Sequence, residues 1–133
     1  MMWKRIFATS AATLTLLGGS MLATAAPAQA DGTCPSNALC IWDSTSFGGL
    51  RILTRSTNTC FNMGKFDFGY IRSYDNNLSV NGYVHNYAGS GVWYQARTLP
   101  AGGFSSDIGV PGLGGLAEDW VCMGSADLSD FVY

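Results

Sequence analysis

The chain has 133 residues, room for one ordinary domain, and is 47% hydrophobic but only 12% charged. With 17 Gly, 13% aromatic residues and a single His, this composition argues against disorder, coiled coil and helical bundle, and against catalytic schemes that need a second imidazole. Seven basic against nine acidic residues leave no basic field for nucleic acid.

Residues 1–30 read as an export signal. Lys4 and Arg5 open the chain, and a weakly apolar stretch centred on Leu14, Leu16, Leu17, Met21 and Leu22 follows. It closes on Ala26-Pro27-Ala28-Gln29-Ala30, an Ala-x-Ala cleavage pattern that places the cut after Ala30. Interspersed Thr, Ser and Gly, with no stop-transfer charges behind them, argue against a membrane anchor. The expected product is a secreted, extracellular single domain, 31–133. Its net charge goes from −2 to −4, because the signal removes two basic residues and no acid.

All four cysteines, Cys34, Cys40, Cys60 and Cys122, remain in the mature chain. An even count in a short exported domain predicts two disulfides, and three connectivities are open. Cys34 and Cys40 are close enough to staple a loop into a strand, which favours 34–40 with 60–122. On the chain-entropy model the two closures stabilise by about 2 and about 4 kcal/mol. No paired CxxC or His spacing suggests a metal instead.

In chain order, short β-like runs at 39–42, 50–54, 70–74, 78–80, 83–85, 92–97 and 120–122 alternate with turns rich in Gly, Asn, Ser and Asp. Alternation is clearest at Trp93, Gln95 and Arg97 against Tyr94 and Ala96, as in a strand with one wet face. Nothing reads as a long helix, so an all-β sandwich or small barrel is expected. The stretch 100–118 carries six Gly and two Pro and reads as one long loop, functional or simply at the surface.

Catalytic chemistry is sparse. His85 is the lone imidazole, and Ala88-Gly89-Ser90-Gly91 misses the nucleophile-elbow spacing by one residue. Glu118 and Asp119, being adjacent, point to opposite faces of a strand, and Asp127 and Asp130 read as solvated charges. No acid, base and oxyanion site assemble, so an enzyme is not expected. The aromatic residues read chiefly as core.

One motif is more specific. In Trp42-Asp43-Ser44-Thr45-Ser46-Phe47-Gly48-Gly49, an aromatic, four spacers, a second aromatic, one spacer and a Gly follow one another. This resembles the folded-hairpin signature of the βγ-crystallin Greek key. Gly49 would supply the positive φ that folds the hairpin over, Trp42 and Phe47 would pack as its corner, and Ser73 would tie it down. With the preceding Cys34-Pro35-Ser36-Asn37-Ala38-Leu39-Cys40, the chain resembles the Streptomyces metalloproteinase inhibitor family of secreted βγ-crystallin-like domains. The resemblance covers 34–80 best. A second key is expected near 81–133, where Tyr83 to Gly89 runs one residue short of the motif. The implied fold is a βγ-crystallin-like Greek-key sandwich of about eight short strands with two disulfides.

The resemblance implies a monomeric inhibitor that blocks the cleft of an extracellular protease, a metalloproteinase, with a rigid loop; no membrane partner is implied. No inhibitory residue transfers by match. Physical candidates are Val110, Pro111 and Leu113 in the Gly-rich stretch, and Cys122 and Met123 beside the expected 60–122 bridge. The family's calcium-binding relatives use an Asn/Asp pair, two spacers and Ser/Thr-Ser. Asp75-Asn76-Asn77-Leu78-Ser79-Val80 fits except at Val80, which makes Asp75, Asn76 and Ser79 the metal candidates; a register set by Ser73 loses the acidic ligands altogether. No cofactor is otherwise expected. The rival readings are an antimicrobial, killer-toxin-like crystallin domain, against which the charge of −4 counts, and a structural calcium-binding one.

Overall fold

A computed structural model describes residues 33–109 and 113–133. The expected signal segment 1–30, and Val110 and Pro111 of the expected inhibitory loop, lie outside the described residues. Eight strands are present among those described: β1 (Leu39–Ser44), β2 (Gly48–Thr54), β3 (Cys60–Asn62), β4 (Ser73–Asn76), β5 (Gly82–Gly89), β6 (Val92–Leu99), β7 (Phe104–Ser105) and β8 (Trp120–Met123). They form two antiparallel sheets, ordered β2-β1-β4-β7 and β3-β8-β5-β6.

The order shows two Greek keys that exchange their third strands. β3 leaves the first key to pair with β8, and β7 leaves the second to pair with β4. This is the expected βγ-crystallin-like sandwich. Two sequence runs are placed differently. The strand expected at 70–74 begins only at Ser73. The run 78–80 is a bend, in which the Leu78 N–H is taken by Asn76 Oδ1 at 3.0 Å. The short strands β3 and β7 were too brief and too polar at their ends to show a period.

Alternation builds three apolar clusters. Leu39, Ile41 and Ile52 of the first sheet face Val84, Leu99, Val121 and Met123 of the second, forming the central core. The opposite sides of β1 and β8 are also covered. Ala38, Cys40 and Trp42 are buried beneath the N-terminal staple, and Cys60 and Cys122 beneath Leu128 of the C-terminal segment. The disulfides are Cys34–Cys40 and Cys60–Cys122, one in each outer cluster. Each fully buried Leu or Ile contributes about 1.5–3 kcal/mol, so a central strand apolar on both faces stabilises more than an edge strand.

The first hairpin folds over as the motif requires. Trp42 and Phe47 meet edge to face with ring centroids 5.2 Å apart. Gly49 has φ +80°, and a Cβ there would collide with the Asp43 carboxylate. Ser46 and Phe47 also take positive φ, 57° and 58°, which is costly for a side chain as large as Phe. The Ser73 hydroxyl holds this corner in place: it donates to Ser44 O at 2.7 Å and accepts from the Phe47 N–H at 3.1 Å. Ser73→Ala leaves both backbone groups without this partner and is expected to lower unfolding free energy by about 1–3 kcal/mol in urea titration. Gly49→Ala is expected to destabilise by at least about 1 kcal/mol in the same assay.

Candidate functional site

The second key departs from the motif at its hairpin. β5 and β6 are joined by Ser90 and Gly91 alone, with φ 53° and 73°, the geometry of a tight two-residue turn. The motif-like residues Tyr83 to Gly89 all lie within β5, ahead of this turn, and the β5–β6 ladder shifts register between Val84 and His85 and again between Tyr87 and Gly89. At the end of this hairpin Val92 and Tyr94 are exposed at 55% and 53%.

The tip is braced on several sides. The Gly91 N–H donates to the Tyr87 hydroxyl at 3.0 Å, and the Tyr87 and Trp93 rings pack with centroids 4.9 Å apart. Trp93 Nε1 donates to Glu118 O at 2.6 Å. The Tyr87 N–H donates to Asp119 Oδ1 at 2.7 Å, while Asp119 Oδ2 accepts from the Leu116 N–H at 2.8 Å. Asp119 is fully buried, and its own carbonyl accepts from the Met63 N–H at 2.8 Å. It ties the second hairpin to the strand β8 much as Ser73 ties the first to β4. Sequence reasoning read it as one of two adjacent acids on opposite faces. The signal that could have found it is its place just ahead of the last apolar run, matching that of Ser73.

The other sequence candidates fall elsewhere. Leu113 lies in the central core at 2% exposure, and Met123 is wholly buried there. Cys122 is also wholly buried, bonded to Cys60 on the outer side of β8. β8 runs between β3 and β5 with both faces covered, which buries Cys122 and Met123, and Leu113 packs into the central core from outside the strands. Part of the Gly-rich stretch is tied down: Ile108 N–H donates to Arg72 O at 2.8 Å and Ile71 N–H to Leu113 O at 2.9 Å.

Asp75 and Asn76 are buried in β4, whereas Ser79 is exposed. The Asn76 amide donates to Val80 O at 3.0 Å and Leu99 O at 2.8 Å, linking β4 to the second sheet. Asn77 donates to Cys34 O at 3.1 Å, Pro35 O at 3.2 Å and Asp75 Oδ2 at 3.3 Å. This run is thus engaged in holding the chain. Among the described residues no group of three or more His, Cys, Asp or Glu is placed to hold a metal ion.

His85, on β5, is half-buried; desolvation lowers its pKa from the ordinary 6.5, opposed by the charge of Asp127. Asp127 is exposed, and hydrogen bonds from the Ser129 backbone and then its side chain lower its pKa from 3.8. The sign for both is the same. The unfolded chain binds more protons than the native state as pH falls through each ordinary value, so native stability drops on acidification. For His85 the loss begins near 6.5 and is complete below the lowered native pKa; for Asp127 it begins near 3.8. His85→Ala is expected to flatten melting temperature against pH between about pH 5 and about pH 7, checked by calorimetry. Asp119→Ala, which strands the Tyr87 and Leu116 N–H groups, is expected to cost about 2–4 kcal/mol in urea titration.

Comparison with known families matches residues 27–97 to the model of peptidase inhibitor family I36. The match takes in β1 to β5 and most of β6, the braced hairpin included. The comparison with curated proteins gives no match, and neither does the comparison with solved structures. Two disulfides suit an oxidising, extracellular setting, and no helix among the described residues is long and apolar enough to cross a membrane.

Proposed function

The chain belongs to peptidase inhibitor family I36, and on that premise we propose that it is a secreted, monomeric inhibitor of metalloproteinases that fills the protease cleft with its β5–β6 hairpin. The observation that carries the reading is the bracing of an exposed apolar tip. Val92 and Tyr94 stand out at the end of a hairpin held by Tyr87, Trp93 and Asp119. A loop ordered before binding avoids the entropy of ordering on contact, so more of its contact energy appears as affinity. Once bound, a hairpin pinned at its neck holds both sides of a cut bond in place, so that the bond can reseal.

Val92 is the side chain offered to an apolar specificity pocket, as thermolysin-type clefts provide. Export through residues 1–30 brings the domain to the compartment where both the disulfides and such proteases occur. The mechanism uses no cofactor and no catalytic residue of this chain. It moves the inhibitory role from Leu113, Cys122 and Met123, which are buried, to a segment that a protease can reach.

The test is titration of a thermolysin-type metalloproteinase with oxidised protein 31–133, following residual activity. A tight endpoint at one-to-one stoichiometry is expected. Val92→Glu should weaken inhibition by about 100-fold with an unchanged melting temperature, as for a central contact residue. A folded wild-type domain that leaves the protease active at micromolar excess overturns the reading.

A further inference from the structure

The outer face of the second sheet carries a groove that borders the inhibitory hairpin at Gly91 and Trp93 and leaves its exposed Val92 and Tyr94 aside. The C-terminal segment 124–133 runs along this face, and two openings lie beside it, each of about 340 Å³. His85 and Leu128 line both, so the two are neighbours on this face. One extends past Tyr83, Gln95 and Asp127, the other past Trp93. Each is within the size range of small-molecule sites.

The polar groups on these walls are only partly used. The half-buried ring of His85 makes no hydrogen bond among the described residues. Tyr83 Oη accepts from the Asn81 amide at 3.3 Å and keeps its own proton to donate. Gln95 donates its amide to Thr98 Oγ1 at 3.2 Å, leaving the carbonyl oxygen as an acceptor. Asp127 Oδ1 is taken by the Ser129 N–H at 2.9 Å and hydroxyl at 2.8 Å, and its Oδ2 remains. Beside these lies the Trp93 ring, fixed by its bond to Glu118 O and its packing on Tyr87.

Donors, acceptors and one aromatic wall narrow the ligand. No Lys or Arg lines either opening, and Asp127 repels anions. One carboxylate and one imidazole are too few for a divalent cation, which takes six or more oxygens or four mixed ligands. A purely apolar ligand would cover these polar groups without pairing them. A neutral polyhydroxylated ligand answers every one of them: its hydroxyls both donate and accept, and its C–H face packs on an aromatic ring. The geometry points to a saccharide-binding groove. A neutral oligosaccharide lies along β5 and β6 with one sugar face on Trp93 and its hydroxyls on His85, Gln95 and Asp127. This site stands independently of the inhibitor reading, since it requires no protease.

The experiment titrates oxidised protein 31–133 with chitotetraose, cellotetraose and maltotetraose, following backbone amide resonances and tryptophan fluorescence. At least one sugar should give saturable shifts at Tyr83, His85, Gln95 and Trp93 with a Kd of about 1 mM or tighter. At about pH 8, above the range in which His85 titrates, His85→Ala and Gln95→Ala should each weaken binding by about five- to tenfold with an unchanged melting temperature. Arg51→Ala, on the first sheet, should leave it unaltered. The proposal is overturned if none of the three sugars moves these resonances at about 10 mM, a concentration well above the expected Kd. It is likewise overturned if His85→Ala binds as wild type does, or if an apolar hexapeptide saturates the same residues when the sugars do not. Protease inhibition is read separately, so a failed sugar titration leaves that function standing.

Discussion

The hydroxyl of Ser73 is the contact on which the first half of the molecule depends. It joins Ser44 O and the Phe47 N–H, 29 and 26 residues away in the chain, at the corner where Ser46 and Phe47 adopt positive φ. Without a partner at that corner, two non-glycine residues in left-handed conformation would open toward an ordinary turn. Because Ser73 begins β4, the same contact sets the register of β4 against β1, from Trp42↔Ser73 to Leu39↔Asn76. Asn76 at the other end then reaches across to Leu99 in the second sheet. One strand of four residues thereby couples a hairpin corner, a sheet and the sandwich.

The same logic extends to the second half. Among the described residues the buried polar side chains are Ser73, Asp75, Asn76 and Asp119, on or beside the fourth strand of each key. Ser73 and Asp119 both receive an N–H from the hairpin of their own key. A buried polar group is retained at a cost unless its bonds are made, and here the bonds made are those that hold hairpins. The two keys differ in outcome because their turns differ. The first folds down on Trp42 and is consumed by packing; the second, turning through Ser90-Gly91, leaves the side chains of Val92 and Tyr94 exposed.

Covering both faces of β1 and β8 has a functional consequence. With a disulfide-bearing cluster on the outer side of each sheet, the centre of the molecule is closed to partners. Recognition is left to what projects or borders the covers: the β5–β6 tip and the groove beside the C-terminal segment. Both belong to the second sheet, and Trp93 contributes to each, through its packing on Tyr87 and as a wall of the groove.

Much of the fold was legible in local chemistry. The spacing from Trp42 to Gly49 announces a folded hairpin because it combines two rings that can meet with a residue that tolerates positive φ. Ser73 could be named as its tie, and the close spacing of Cys34 and Cys40 pointed to their pairing. The strands that showed were those long enough to alternate; β3 and β7, with three and two residues, carry no period to read. The all-β class was thus determined by composition and alternating runs, and the inhibitor family by resemblance to a local motif, Trp42 to Gly49 behind Cys34 to Cys40, whose residues lie close together in the chain. Tertiary structure alone decided that Leu113 and Met123 belong to the core, that Asp119 is a brace and that Val92 projects. Burial and exposure at those positions follow from which strands lie side by side, and neighbours 30 or more residues apart leave no local trace.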